Sequence, residues 1–135
     1  MKLIKLVLKS IKSYIKLFLF IIVNKIALKE NVVVNEKSVL LIRIDATGDY
    51  ILFRNFIKII RKSDKYKNYK ITLLGNEVWK KIAEELDGKF IDNFIWLNRK
   101  KFNKNFIYRY QKFTEIVING YEIVINPRYS PEFYI

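Results

Sequence analysis

Apolar residues along this chain follow two different rhythms. From Met1 to Glu30 they run without a Gly or Pro, and Lys2, Lys5, Lys9, Lys12 and Lys16 recur at three- and four-residue steps. On a helix of about 3.6 residues per turn those lysines share one narrow stripe. Leu3, Ile4, Leu6, Val7, Leu8, Ile11 and Ile15 surround it. Residues 1–30 are therefore predicted as a basic amphipathic helix, and 31–38 as a polar linker. From Val39 the rhythm changes, and short apolar runs alternate with helical patterns. The predicted strands are Val39–Ile44, Lys70–Leu74, Phe90–Leu97 and Glu122–Ile125. The predicted helices are Asp49–Lys62, with Leu52, Phe56, Ile59 and Ile60 on one face, Glu77–Leu86, with Val78, Ile82 and Leu86, and Phe106–Ile118. Asn98–Asn105 is predicted as a basic loop.

Strands alternating with helices of ordinary length predict an α/β fold with a Rossmann-like parallel sheet over residues 39–135. In the strand order 3-2-1-4 of a Rossmann half, the sheet reverses direction between the first and fourth strands. The crevice outside those two strands is the expected ligand site. It would bring together two loops: Asp45-Ala46-Thr47-Gly48-Asp49 and Asn126-Pro127-Arg128-Tyr129-Ser130.

The chemistry available to those loops is specific. Asp49 stands near a helix N-terminus, where the helix dipole favours its charge, so it can serve as a base. An Asp at a helix start can equally be a cap. Gly48 is expected to allow a tight turn and a close approach of substrate, with Thr47 and Asp45 on the same loop. Arg128 offers a two-pronged fork to phosphate or carboxylate. Tyr129 and Ser130 can hydrogen-bond sugar hydroxyls, beside Asn126.

Composition narrows the choices. The chain has 135 residues, 51% hydrophobic and 16% aromatic, enough to bury a core. It has neither cysteine nor histidine. Disulfides, thiol nucleophiles, Cys/His zinc sites and histidine-assisted catalysis are all excluded. No glycine-rich dinucleotide fingerprint and no Walker A loop is present. No metal site and no cofactor are expected. The net charge is +13, and residues 1–30 carry seven Lys against one Glu. That balance favours anionic partners. The charge-free run Leu17–Asn24 is far shorter than the roughly 20 residues that span a bilayer. The N-terminal helix suits an anionic membrane surface, with Lys2, Lys5, Lys9, Lys12 and Lys16 on headgroups. Packing on the globular domain or on a partner is the alternative. Phe102, Phe106, Tyr110 and Phe113 alternate with lysines but fall at helical spacing, which suits a core stripe better than a nucleic-acid surface.

The segment VLLIRIDATGDYILFRNFIKIIR (residues 39–61) resembles the opening of family 9 glycosyltransferases, the ADP-heptose:lipopolysaccharide heptosyltransferase group. These begin with an apolar strand, a basic residue, a small-residue turn, then Gly-Asp and an amphipathic helix. KITLLGNEVWKKIAEEL, FIDNFIWLNRKKF and YEIVINPRYSPE resemble the family's following segments in order. The resemblance covers about residues 38–131. It implies the N-terminal half of a GT-B glycosyltransferase, built from two Rossmann-like domains, with the acceptor bound mainly by this half. It implies inverting transfer of a sugar, typically heptose from ADP-heptose, to lipopolysaccharide or a related surface glycan without a required metal. Asp49 takes the position of the family's proposed general base. Arg43 and the Arg128 loop would then lie near the anionic acceptor.

The family's nucleotide-sugar domain has no counterpart in residues 1–135. The expectation is an acceptor-binding portion whose donor domain lies in a longer enzyme or on a separate donor-binding chain, or was lost by truncation. The basic helix is an addition to the family's usual start. It fits a cytoplasmic protein held peripherally on the inner face of the membrane, facing a lipid-linked acceptor. A competing expectation is a non-catalytic, membrane-associated α/β module or inactive remnant. Nucleic acid is not an expected partner.

Overall fold

The computed structural model describes residues 2–28 and 32–127. Four strands, β1 (Asn35–Arg43), β2 (Lys70–Asn76), β3 (Asn93–Leu97) and β4 (Tyr121–Ile125), form one parallel sheet in the order β3-β2-β1-β4. The fold is Rossmann-like α/β, and the direction of strand addition reverses between β1 and β4. In register, Val39 pairs with Ile71 on one side and Ile123 on the other. Val39, Leu40 and Leu41 are buried, as the centre of a parallel sheet covered on both faces requires.

α1 (Lys2–Ala27) precedes the sheet. α2 (Thr47–Lys62) and α3 (Lys80–Asp87) cover one face, packing Tyr50, Phe53, Ile57, Trp79 and Ala83 on Val39, Leu41, Ile71 and Leu73. α4 (Arg99–Lys104) and α5 (Phe106–Ile118) serve the other face, where Phe102, Tyr108 and Ile116 meet Leu40, Leu74, Ile95 and Leu97.

Several elements differ from the sequence expectation, each for a local reason. β1 begins at Asn35, inside the stretch expected as linker. Its polar start is bonded to β4: Ser38 Oγ accepts from the Glu122 amide at 3.1 Å, and Asn35 pairs with Tyr121. The expected basic loop contains α4, because the Asn98 side chain caps it by accepting from the Lys101 amide at 2.9 Å. β3 is shorter than predicted, since Gly88–Phe90 form a single 3-10 turn.

The buried stripe of α2 is Tyr50, Phe53 and Ile57, with Ile60 half-buried, while Leu52 (78% exposed), Phe56 and Ile59 face outward. The helix is apolar on more than one side. The stripe that wins carries Tyr50, whose ring stacks on Trp79 at 4.1 Å and whose hydroxyl donates to Asp87. The segment predicted as one helix from Glu77 begins as a 3-10 turn, Glu77–Trp79, started by Asn76. That phase turns Trp79, Ala83 and Asp87 inward and leaves Val78 and Leu86 exposed. Asp87 is tolerated at 2% exposure because Arg54 grips it with two hydrogen bonds, at 3.0 and 3.1 Å.

Among the described residues α1 docks through its C-terminal half. Phe20 packs on Phe106 with ring centres 4.8 Å apart, and Asn24 accepts from Arg109 Nε at 3.0 Å. At about 100° per residue, Lys9 and Lys16 lie within about 60° of that docking seam, and Lys12 lies between it and the apolar side. Val7, Leu8, Ile11, Ile15, Phe18 and Ile22 lie on the opposite side and are exposed. No helix among the described residues is long and apolar enough to cross a membrane.

Candidate functional site at the carboxyl edge of the sheet

The β1–α2 turn is pinned from below. The Asp45 carbonyl accepts from Asn76 Nδ2 at 3.2 Å and from Trp79 Nε1 at 3.1 Å, so the ends of β2 and the following turn hold it. The Asp45 carboxylate is nearly buried and pairs with Arg43 Nη1 at 3.4 Å. Arg43 also donates to the Asp49 carbonyl at 3.3 Å and lies over the Phe53 ring at 5.4 Å. Its Nε is buried without a hydrogen-bond partner among the described residues. Arg43 and Asp45 thus brace the turn.

The Asp49 side chain stands apart from that network. The helix N-cap is Ala46, which supplies no side-chain cap, and Asp49 is the third residue of α2 rather than its cap. Its side chain is exposed and has no hydrogen bond or ion pair among the described residues. A carboxylate in a first turn is favoured by the helix dipole by about 0.3–1 kcal/mol. It is therefore held in place by the helix while remaining open to a partner from outside.

Thr47 and Gly48 complete the first turn. Gly48 has no positive φ, and a methyl built there would meet nothing within 4 Å. The tight turn expected of it is absent; what it contributes is open space beside Asp49. Gly75 and Gly120 are the glycines under steric demand: a methyl at Gly75 would collide with both Trp79 and Trp96, and one at Gly120, which has a positive φ, with the Val33 backbone. Asn126 follows β4, whose Ile125 pairs with Leu41, and so lies at the same sheet edge as Arg43. Arg128, Tyr129 and Ser130 lie outside the described residues, as do the side chains of Lys2 and Lys5. Lys9, Lys12 and Lys16 are exposed, and Lys16 Nζ sits 5.3 Å from the Phe20 ring centre.

The structure adds residues that sequence reasoning passed over. Beyond β2 and β3 the carboxyl edge opens into a cleft of about 540 Å³, lined among others by Asn76, Glu77, Val78, Asn98, Arg99 and Lys100. They end β2 or follow β2 and β3 within three residues, and that position was the available signal. No group of three or more carboxylates that could hold a metal ion occurs among the described residues.

The chain matches no protein-family model, no curated protein and no solved structure. What the edge does must therefore be argued from its own chemistry.

Proposed function

We propose that this domain is the acceptor-binding half of a GT-B glycosyltransferase of the heptosyltransferase type, with Asp49 as general base. It would take a sugar from a nucleotide-sugar such as ADP-heptose and pass it to a lipopolysaccharide or related glycan. The observation that carries the reading is the Asp49 carboxylate. It is exposed, unengaged among the described residues and fixed in the first turn of α2, beside the point where the sheet reverses. Such a group can take the proton of an acceptor hydroxyl as that oxygen attacks the anomeric carbon and the bond from that carbon to the diphosphate oxygen breaks, the nucleoside diphosphate leaving with the electron pair. The pinned turn beneath it supplies the rigidity a base requires. The donor would be held mainly by another domain or chain.

The test is Asp49→Asn, assayed for heptose transfer from ADP-heptose to a lipopolysaccharide acceptor with a donor-binding domain supplied. Turnover should drop by about 10²–10⁴-fold, with the thermal melt nearly unchanged. Undiminished turnover removes Asp49 from the role.

The exposed apolar side of α1 favours a second reading, a membrane-associated module without catalysis. That side would enter the interfacial layer of an anionic membrane. The lysine stripe is centred about 120° around the helix from that side, so the lysines would reach headgroups at its flank, each for about 1 kcal/mol. A buried Phe side chain contributes about 1.5–3 kcal/mol, so apolar contact should dominate over charge. In sedimentation with anionic vesicles, Phe18→Asp should weaken binding more than Lys9→Gln. The reverse order, or no vesicle binding, refutes this placement of the helix.

A further inference from the structure

A second cavity lies under the carboxyl edge on the α4/α5 side, separate from the Asp49 turn. Its volume is about 350 Å³, near the lower end of the roughly 300–1,000 Å³ of small-molecule sites. Ile42, Ile44, Leu74, Leu97 and Ile116 form apolar walls, and Arg99 and Arg109 bring two guanidinium groups to it.

Arg109 is the unusual member. It is only 5% exposed, yet it has no carboxylate partner among the described residues. Its Nε donates to Asn24, and its guanidinium lies among the rings of Phe102, Phe20 and Phe113, with centres 4.4, 4.5 and 5.2 Å away. Ring faces offset part of the lost hydration of a cation. They leave the four terminal N–H donors without an acceptor among the described residues, because Asn24 takes the fifth, on Nε. Burial pushes the Arg109 pKa down, yet an arginine keeps its charge. A charge of this kind is costly to bury and is relieved by an anion. Arg99, half-exposed at the same cavity, has no ion pair among the described residues either.

We propose that this cavity binds an amphipathic anion: one carboxylate or phosphate head against Arg109 and Arg99, and a medium-length unbranched apolar chain along Ile42, Leu74 and Ile116. Nothing in the proposal depends on sugar transfer or on Asp49. The apolar walls select against a bare inorganic anion, and the buried guanidinium selects against an uncharged chain.

Calorimetric titration of the full chain with decanoate and decyl phosphate, each below its micelle-forming concentration, tests it. Decanol and inorganic phosphate are the references. The expected result is one decanoate or decyl phosphate per chain, bound at least tenfold more tightly than decanol, with no binding of millimolar inorganic phosphate. Binding of either amphiphile supports the site, and their ratio tells a carboxylate from a phosphate ligand. Arg99→Gln should weaken binding several-fold, and Ile116→Trp, which fills the cavity, should abolish it, both with unchanged melts. Arg99→Gln keeps the test informative should Ile116→Trp fail to fold. Equal affinity for decanol, binding insensitive to Ile116→Trp in a folded variant, or no binding of either anion overturns the proposal.

Discussion

Asp87→Ala is expected to be among the most damaging single substitutions outside the apolar core. Asp87 accepts from the Tyr50 hydroxyl and from Nε and Nη2 of Arg54. The two donors lose their acceptor in different settings. The Arg54 side chain is 28% exposed, so water can replace the carboxylate, and loss of that partly exposed pair costs about 1 kcal/mol. Tyr50 is fully buried and clamped against Trp79, so its hydroxyl finds no water, and an orphaned buried donor costs about 1–3 kcal/mol. The sum is about 2–4 kcal/mol. Tyr50→Phe removes the donor instead and leaves the Arg54 fork intact, for about 1 kcal/mol. In the Tyr50→Phe background no hydroxyl remains to be orphaned, and Asp87→Ala should cost only about 1 kcal/mol. The double-mutant cycle should thus show a coupling of about 1–3 kcal/mol. Urea unfolding followed by far-ultraviolet circular dichroism gives each value from the shift in midpoint at constant slope. Additive effects, or Asp87→Ala milder than Tyr50→Phe, would refute the assignment of the cost to the Tyr50 hydroxyl.

Two further outcomes follow from the same packing. Gly75→Ala should destabilise by about 1–3 kcal/mol through collision with Trp79 and Trp96; Gly48→Ala, in an open first turn, should be neutral or stabilise by up to about 1 kcal/mol, and thermal melts separate the two. Burial, then Asp87, holds the Tyr50 phenol well above its ordinary value near 10. The folded state therefore keeps a proton that the unfolded state gives up, so this contribution is full below about pH 10 and is lost as pH rises further. Tyr50→Phe should flatten the fall in stability between pH 9 and 11, with a residual slope from Tyr121, whose phenol burial also raises.

The alternation of apolar runs was enough to place four strands and their helices in order, because a parallel sheet buried on both faces writes itself as unbroken runs such as Val39–Ile42. The phase of the helices was less legible. α2 presents two apolar stripes, Tyr50-Phe53-Ile57 and Leu52-Phe56-Ile59, and spacing alone does not rank them. The ranking came from a long-range contact, Tyr50 with Trp79 and Asp87, which local pattern does not contain. Asp87 was equally hidden, since a carboxylate before a glycine looks like the solvated end of a helix. At the site, the Gly-Asp turn was visible, but the division of labour within it was not. Nothing local says that Asp45 is tied to Arg43 while Asp49 is left open.

Trp79 and Trp96 are the chain's two tryptophans, and their rings meet edge to face at 5.4 Å. One of them donates its indole N–H to the carbonyl of Asp45, in the turn that carries Asp49. Tryptophan emission, excited beyond the tyrosine absorption band, therefore originates beside the candidate site. A ligand that shifts the turn should change the energy or yield of that light, whereas one bound only along α1 should leave it dark to the event. The fold thus carries its own optical reporter, which needs no label and tells occupation of the sheet edge from attachment at the N-terminal helix.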